Sequence, residues 1–326
     1  MPEPTWTQAP ALAVTAEETV AVPSPEASGT AVALEPASIV VAPATLTVRE
    51  PEGSETVVIR LGSEPEGTVI IPLSVTGNEC SVTPGEVRLD DSNWSTGVSV
   101  AVAAVDDAFV DGDQACVVST GPARSSGADY ADMSVDDVTV TVEDDDTAGI
   151  AVAPVSLTVS EAGGSETFVI TLSSEPEEPV IIPLSVESDE CSVAQGEVTL
   201  DSSNWNTGVS VAVALVDDAL VDGDQVCVVG TGAARSNGAD YAGMTVEDVT
   251  LTVEDDDAAG IVIAPTTLTV REPEGSETLV VTLNSEPEGP VSIPLSVISD
   301  ECSVTPGEVT LDKANWSTGV DVTVAA

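Results

Sequence analysis

The chain has 326 residues, enough for two or three domains of ordinary size. It carries 57 acidic residues against 7 basic ones and no histidine, for a formal net charge of -50. This balance excludes a nucleic-acid partner and an anionic membrane surface, because binding phosphate requires clustered Lys and Arg. Apolar residues make up 42% of the chain, which excludes a disordered acidic tail. No apolar run reaches the ~20 residues needed for direct membrane insertion.

Residues 1–37 are rich in Pro, Ala, Thr and Glu, a composition typical of a linker. Two runs in this segment, ALAVTAEETVAV and TAVAL, have the composition of short strands. No basic stretch followed by an apolar one is found there, so we expect any signal peptide to lie outside these residues.

The rest of the chain repeats with a period of 111 residues, and each unit opens with the pattern I-x-x-A-P-x-x-L-T-V. Repeat 1 is defined as residues 38–148, repeat 2 as residues 149–259, and repeat 3 as residues 260–326, which is incomplete. The period is too long for one coil of a thin solenoid. Each repeat is therefore predicted to be a domain with its own core.

Short runs rich in Val, Ile and Thr alternate with clusters of Gly, Pro, Asn and Asp within each repeat. In repeat 2 these runs are TFVITL, VIIPLSV, GEVTL, VSVAVALV, QVCVV and DVTLTV. No window has a helical apolar stripe of useful length. About seven strands in a domain of this size predict an all-β fold, with tandem Ig-like antiparallel β-sandwich domains arranged as beads on a string.

The cysteines recur with the repeats. Cys80 and Cys116 are 36 residues apart, and Cys191 and Cys227 have the same separation at equivalent positions. We interpret each pair as a disulfide, which implies an oxidising compartment and an extracellular or cell-surface location. The alternative is two buried free thiols in each repeat. Cys302 is left over, which indicates that repeat 3 is part of a longer chain.

Acidic residues recur at three places in each repeat: after the first strand, in the loop after the long V-S-V-A-V strand, and after the last strand. They are Glu50, Asp106, Asp107, Asp111, Asp144, Asp145 and Asp146 in repeat 1, Glu161, Asp217, Asp218, Asp222, Asp255, Asp256 and Asp257 in repeat 2, and Glu272 in repeat 3. In an antiparallel sandwich these three places can share one pole.

So many carboxylates at one pole repel one another, because each pair at ~4 Å costs about 1 kcal/mol even in water. Ca²⁺ accepts a variable number of oxygen ligands, about six to eight, in flexible geometry. A cluster of carboxylates therefore suits Ca²⁺ better than Mg²⁺. The EF-hand spacing is absent, so a calcium site here is assembled from separate loops. The alternative is that the acids are solvated turn residues or the acidic coat of a halophilic protein.

The SEAGGSET turn, the VDDALVDGDQ loop and the EDDD-x-AGI junction together resemble the Calx-beta domain, over residues 38–326. The resemblance implies a β-sandwich that binds calcium at one pole. Its ligands are then the Glu of the first turn, the Asp-Asp pair, the Asp that opens DGD, and the Asp triplet. The family often has a further Asp between the third and fourth strands. Here that region reads GNEC or SDEC, so Glu79, Glu190 or Asp189 is the candidate substitute.

Other motifs carry weaker signals. Asn93 and Asn315 match the N-glycosylation sequon, whereas the equivalent Asn204 does not. The tryptophan of each NW-x-TGV turn is expected to pack at the sandwich edge. No histidine or activated cysteine is available to activate a nucleophile, so no enzymatic activity is predicted.

Two functions remain. The favoured one is a calcium-stiffened spacer in a long extracellular fibre, filament or adhesin, such as an adhesin stalk or a flagellar hair. Its partners are then other repeats of the chain or neighbouring copies in the fibre. The alternative is a calcium-sensing module whose interdomain angle changes on ion binding. The disulfides, the near-identical repeats and the lack of a linker after the Asp triplet favour the spacer.

Repeat 3 has two explanations at this level. Either the chain is cut from a longer repetitive protein, or another molecule completes the repeat with its residues 1–37 as donor strands. Residues 1–37 contain no cysteine that can pair with Cys302, which favours the first explanation.

Overall fold

A computed structural model describes residues 36–326, and the strand-like runs predicted within residues 11–34 lie outside this range. The described chain is nearly all β, as predicted, and its one helical element there is a short 3-10 turn, Glu161–Gly163. Among residues 36–326, no helix has both the length and the apolar character that crossing a bilayer requires.

Repeat 1 is a sandwich of two sheets. Its strands are β1 (Ile39–Ala42), β2 (Thr45–Arg49), β3 (Ser54–Leu61), β4 (Val69–Thr76), β5 (Cys80–Thr83), β6 (Glu86–Leu89), β7 (Val98–Ala104), β8 (Gln114–Thr120), β9 (Arg124–Ser125) and β10 (Val138–Glu143). The first sheet has the order β1-β3-β7-β5, and the second has the order β2-β10-β8-β4-β6, with β9 beside β4.

One strand pair departs from the antiparallel pattern. The first stretch of the repeat is interrupted at Pro43, so that β1 joins one sheet and β2 joins the other. As a result β2 runs parallel to β10, with Arg49 opposite Glu143. The two strands end side by side, which places the residues that follow them at the same edge of the sandwich.

Repeat 2 has the same two-sheet plan. Its strands are β11 (Ile150–Ala153), β12 (Ser156–Ser160), β13 (Ser165–Leu172), β14 (Val180–Val186), β15 (Cys191–Val193), β16 (Glu197–Leu200), β17 (Val209–Leu215), β18 (Gln225–Thr231) and β19 (Val249–Glu254). The sheet orders are β11-β13-β17-β15 and β12-β19-β18-β14-β16, with β12 parallel to β19. The six runs that were predicted as strands in this repeat are all strands.

Repeat 3 has β20 (Ile261–Ala264), β21 (Ser276–Leu283), β22 (Val291–Pro294), β23 (Ser303–Thr305), β24 (Glu308–Leu311) and β25 (Val320–Ala325). Its first sheet has the full order β20-β21-β25-β23, whereas its second sheet contains β22 and β24 alone. Its buried core is correspondingly small, with Val281, Val309, Leu311 and Val322 as its buried members.

The cores of repeats 1 and 2 follow from the alternation of side chains along each strand. In β10, for example, Val138, Val140 and Val142 are buried while Thr139 and Thr141 are exposed. The aromatic content is low, so the space between the sheets is filled mainly by aliphatic side chains. Each of the two repeats buries its own cluster of side chains.

Both predicted disulfides are confirmed. Cys80 in β5 bonds Cys116 in β8, and Cys191 in β15 bonds Cys227 in β18, with Cα–Cα distances of 6.1 Å in each pair. The bonds cross from one sheet to the other, so each ties the two halves of a sandwich together. Cys302 is a free thiol in the described chain.

Candidate metal centre

Three segments of repeat 1 meet at one pole of the sandwich. The parallel pair places Glu50, which follows β2, beside the Asp triplet that follows β10. Carboxylate oxygens of Glu50, Asp144 and Asp146 lie within 4.8 Å of one another, and those of Glu50, Asp106 and Asp145 do so as well. Glu50 therefore belongs to both groups.

A second group lies beside the first and includes a residue that the family pattern only suggested. Glu79 precedes Cys80, and its carboxylate lies within 4.8 Å of those of Asp107 and Asp111. The burial of Glu79 and the nearby Asp107 and Asp111 raise its pKa. The sequence signal for this residue was the acidic position directly before the first cysteine of each disulfide.

Repeat 2 builds the same pole from Glu161. One group joins it to Asp218 and Asp257, and the other joins it to Asp217 and Asp256, again with ligand atoms within 4.8 Å of one another. The equivalent of Glu79 is Glu190. Burial raises the pKa of Glu190, and Asp222, Asp218 and Asp189 add to the shift.

Glu50 and Glu161 are buried although they are acidic. The two residues are 8% and 4% exposed, and the Oε1 atom of Glu161 has no hydrogen-bond partner. Burial first, and then the negative charge of the surrounding aspartates, raise the pKa of each from 4.5 to about 7. Burial also raises the pKa of Asp111, Asp146 and Asp257, with help from neighbouring carboxylates.

The first aspartate of each triplet holds two of the loops together. Asp144 accepts hydrogen bonds from the backbone N–H of Gly112 and of Asp146, both at 2.8 Å. Asp255 makes the equivalent bonds to Gly223 and Asp257, also at 2.8 Å. The Gly112 φ of 72° is rarely adopted by other residues, so glycine at this point lets the loop present its N–H.

The predicted site residues differ in how the structure places them. Asp222 and Asp255 belong to none of the carboxylate groups described for repeat 2, although Asp222 lies close enough to affect the pKa of Glu190. Glu272 is exposed and belongs to no such group among residues 36–326.

The sequon asparagines lie in a tight turn that uses both ends of the amide. The Oδ1 atom of Asn93 accepts a hydrogen bond from the N–H of Asp90 at 2.8 Å, and its Nδ2 donates to the carbonyl of Arg88 at 3.1 Å. Asn204, which is not in a sequon, makes the same two bonds in its own turn. Asn315 does so in repeat 3. The shared role of these asparagines is to close the turn.

The acidic loop also contacts the following repeat. The carbonyl of Ala108 accepts a hydrogen bond from the N–H of Glu175 at 2.7 Å, and the carbonyl of Ala219 accepts one from Glu286 at 2.7 Å. The side chain of Asp107 caps this loop by accepting a bond from the N–H of Phe109 at 2.8 Å. The same loop therefore contributes carboxylates to the pole and a backbone hydrogen bond to the joint between repeats.

No protein-family model matches the chain, and no curated protein matches it. Among solved structures, the calcium binding domain CBD12 of CALX1.1 is 15% identical, with 66% of this chain and 100% of that chain covered and a TM-score of 0.36. CBD12 from CALX1.2 is 15% identical, with 66% and 99% covered and a TM-score of 0.33. The E. coli chaperone DraB is 12% identical, with 68% and 100% covered and a TM-score of 0.26.

The similar structures therefore include Calx calcium-binding domains at low identity. Likeness at these identities and TM-scores carries no information about ligand or activity. The sheet orders of the chain itself define its fold as an all-β, Ig-like sandwich.

Proposed function

We propose that repeats 1 and 2 each bind Ca²⁺ at the carboxylate pole. The observation that carries the proposal is Glu161, which is 4% exposed, has an unpartnered Oε1 atom and faces four aspartates. A buried carboxylate oxygen without a hydrogen-bond partner is costly, and like charges around it add to that cost. The described residues contain two ion pairs, Arg88–Glu86 and Lys313–Glu286, and neither lies at the pole. A cation is the missing partner.

The chemistry of the donors favours Ca²⁺. Every candidate ligand is a carboxylate, and hard oxygen donors select Ca²⁺, Mg²⁺ or Mn²⁺ rather than Zn²⁺. The groups draw on several separate loops and differ in number between the two repeats. Such a flexible set fits Ca²⁺ better than Mg²⁺, which requires near-octahedral geometry and keeps its waters.

In repeat 2 the ion would be held by Glu161 together with aspartates of the acidic loop and of the triplet. In repeat 1 the equivalent ligands are Glu50, the Asp106–Asp107 pair and the triplet, with Glu79 and Asp111 forming a second group. The ion would supply positive charge that offsets the mutual repulsion of these side chains.

We further propose that the ion stiffens the chain as a spacer in an extracellular fibre, filament or adhesin. Asp107 and Asp218 directly precede the alanines whose carbonyls bond the next repeat. Holding these carboxylates in place would hold the joint as well. The two joints use the same bond at the same length, 2.7 Å, which supports a regular rod. Two inter-sheet disulfides support a location in an oxidising compartment.

Calorimetric titration of the full chain with Ca²⁺ tests the site. Glu161→Gln, which keeps the shape of the side chain and removes its charge, is expected to abolish the tight binding of repeat 2 and to preserve that of repeat 1. Glu197→Gln is the matched control, because Glu197 is exposed on β16 of the same repeat. Unchanged binding in Glu161→Gln would contradict the proposed site.

Small-angle scattering tests the spacer function separately. With Ca²⁺ the chain is expected to have one well-defined maximum dimension. With chelator the joints are expected to bend more freely, so the distribution of molecular dimensions should broaden. Asp107→Asn and Asp218→Asn, made singly, are expected to loosen one joint each. A shift between two equally narrow distributions would instead favour a calcium sensor.

A further inference from the structure

The two joints between repeats differ at one matched pair of residues. Joint 1 is the contact between repeats 1 and 2, and joint 2 is the contact between repeats 2 and 3. At joint 2 the Nζ atom of Lys313, the only lysine in the sequence, donates a hydrogen bond to Oε1 of Glu286 at 2.9 Å. The period of 111 residues makes Glu175 the equivalent of Glu286, and Ser202 the equivalent of Lys313. Joint 1 therefore has the glutamate without the ammonium group.

The backbone around this pair is the same at both joints. The N–H of Glu175 donates to the carbonyl of Ala108 at 2.7 Å. The N–H of Glu286 donates to the carbonyl of Ala219 at the same distance. The turns that carry the serine and the lysine are closed by equivalent asparagines. An ammonium group at joint 1 can therefore approach Glu175 as Lys313 approaches Glu286.

The negative charge at joint 1 is concentrated around a cavity of about 410 Å³. Glu175, Glu177 and Glu178 all line it. Glu177 is the equivalent of Glu288, whose charge helps to raise the pKa of Lys313 after the hydrogen bond and charge of Glu286. Glu178 has no acidic equivalent, because joint 2 has glycine there. Neither of the two ion pairs formed by residues 36–326 involves a glutamate of this cavity.

The rest of the lining suits an organic cation. Phe109 lines the cavity from repeat 1, and Pro176 and Pro179 line it from repeat 2. An aromatic ring attracts an ammonium group, and apolar side chains pack against the methylene stem that carries it. At joint 2, where the chain supplies its own ammonium group, the equivalent of Phe109 is Leu220. The aromatic residue is thus found at the joint that has carboxylates and no lysine.

We propose that the cavity at joint 1 binds a primary alkylammonium group, held by Glu175 in the place that Lys313 occupies at joint 2. Such a group has three N–H donors for the carboxylates of the cavity. It belongs either to a lysine side chain of another protein or to a free polyamine. A metal ion fits less well, because no group of three carboxylates found within 4.8 Å among residues 36–326 includes a glutamate of this cavity. The site is separate from the carboxylate poles and does not rest on their binding of calcium.

Isothermal titration calorimetry of the full chain tests the site with two probes. Nα-acetyl-lysine methylamide represents a lysine side chain, and spermidine represents a free polyamine. The buffer contains Ca²⁺, so that the probes do not compete for an empty pole, and about 0.15 M salt, which screens the general attraction of cations to the acidic chain.

A matched pair of variants separates the site from general charge. Ser202→Lys gives joint 1 the lysine of joint 2, and its ammonium group should occupy Glu175. It is expected to weaken binding of the probe roughly tenfold, because a charge-assisted hydrogen bond to the probe is lost. Ser192→Lys makes the same change of charge at an exposed position of β15. It should leave the affinity within about twofold of the wild type.

Two further variants exchange the features of the joints. Phe109→Leu gives joint 1 the residue of joint 2 and is expected to weaken binding roughly threefold. Lys313→Ser removes the ammonium group from joint 2 and should create a second, weaker site there, since that joint lacks the phenylalanine and the third glutamate. The melting temperature of each variant shows whether it is folded.

The outcomes decide the proposal and the source of the ammonium group. Equal affinity in the wild type and Ser202→Lys would overturn it. An equal loss in Ser202→Lys and Ser192→Lys would overturn it too, because the binding would then be general attraction to an acidic chain. If Ser202→Lys alone weakens binding, the site is supported. The probe that loses more affinity in that variant then identifies the source, a lysine side chain or a polyamine.

Discussion

The metal-free protein is expected to lose stability as the pH rises, and calcium is expected to reverse this trend. The perturbation is a pH change from 5 to 8, made once with chelator and once with Ca²⁺. In the folded, metal-free chain Glu50 and Glu161 have pKa values of about 7, against an ordinary value of 4.5. Above pH 4.5 the unfolded chain loses these protons first, so deprotonation favours unfolding.

The size of the effect follows from the shift. Each pKa unit corresponds to about 1.4 kcal/mol, so each glutamate makes its repeat less stable by on the order of 3 kcal/mol between pH 4.5 and pH 7. The raised pKa values of Asp111 and Asp146 act in the same direction. For a domain of this size, 3 kcal/mol corresponds to roughly 10 °C in melting temperature.

Differential scanning calorimetry at constant ionic strength measures this directly. With chelator the melting temperature should fall from pH 5 to pH 8. With millimolar Ca²⁺ it should rise, because protons and the ion compete for the same carboxylates and the ion stabilises the folded state. Glu161→Gln should flatten the pH dependence of repeat 2, whereas Glu197→Gln should leave it unchanged. A chelated protein that is equally stable at both pH values would refute the reasoning.

Three further changes test the scaffold around the pole. Replacing Cys191 and Cys227 together by serine should lower the free energy of unfolding of repeat 2 by about 3–4 kcal/mol, because the disulfide closes a loop with a sequence separation of 36. Urea unfolding measures this loss, and an unchanged midpoint would contradict the prediction. Asn93→Ala and Asn204→Ala should each lower the free energy of unfolding by about 1–2 kcal/mol. Asn93 lies in a sequon and Asn204 does not, so equal losses in urea unfolding would show that the amide is required by the turn and not by the sequon. Tyr241→Phe should cost about 1–3 kcal/mol, because the buried N–H of the serine beneath it loses its partner; thermal melting checks this against the wild type.

Much of the fold could be predicted because its determinants are local. Alternating Val and Thr in β10 match the two faces of the sheet, and the equal cysteine spacing in two repeats identified both disulfides. The parallel pairing of β2 with β10 was not predicted. It depends on the switch of the chain between sheets at Pro43, and no property of either strand alone specifies its neighbour.

In the candidate site, too, the residue types could be predicted from the sequence, whereas the contacts between them could not. The recurrence of acidic residues at three places in each repeat predicted a shared pole, and carboxylate oxygens from these places do lie within 4.8 Å of one another. Which carboxylates converge depends on the pairing of distant strands, so Glu79 entered a group while Asp255 took the role of tying Gly223 to the triplet. A shared loop is recognisable in sequence, but the direction in which each side chain points is set by tertiary hydrogen bonds.

The two TLTVR segments show most clearly that strand formation depends on the neighbouring strands. Residues 45–49 and 267–271 have the same sequence, and their intrinsic strand preference is therefore identical. The first forms a buried strand and the second forms none. Among residues 36–326 only the first segment has a partner strand, which agrees with the view that β preference reflects the fit to a half-buried pleated surface more than a backbone property. In this chain the repeat predicts which segments are able to form strands, and the neighbouring strands determine which of them do.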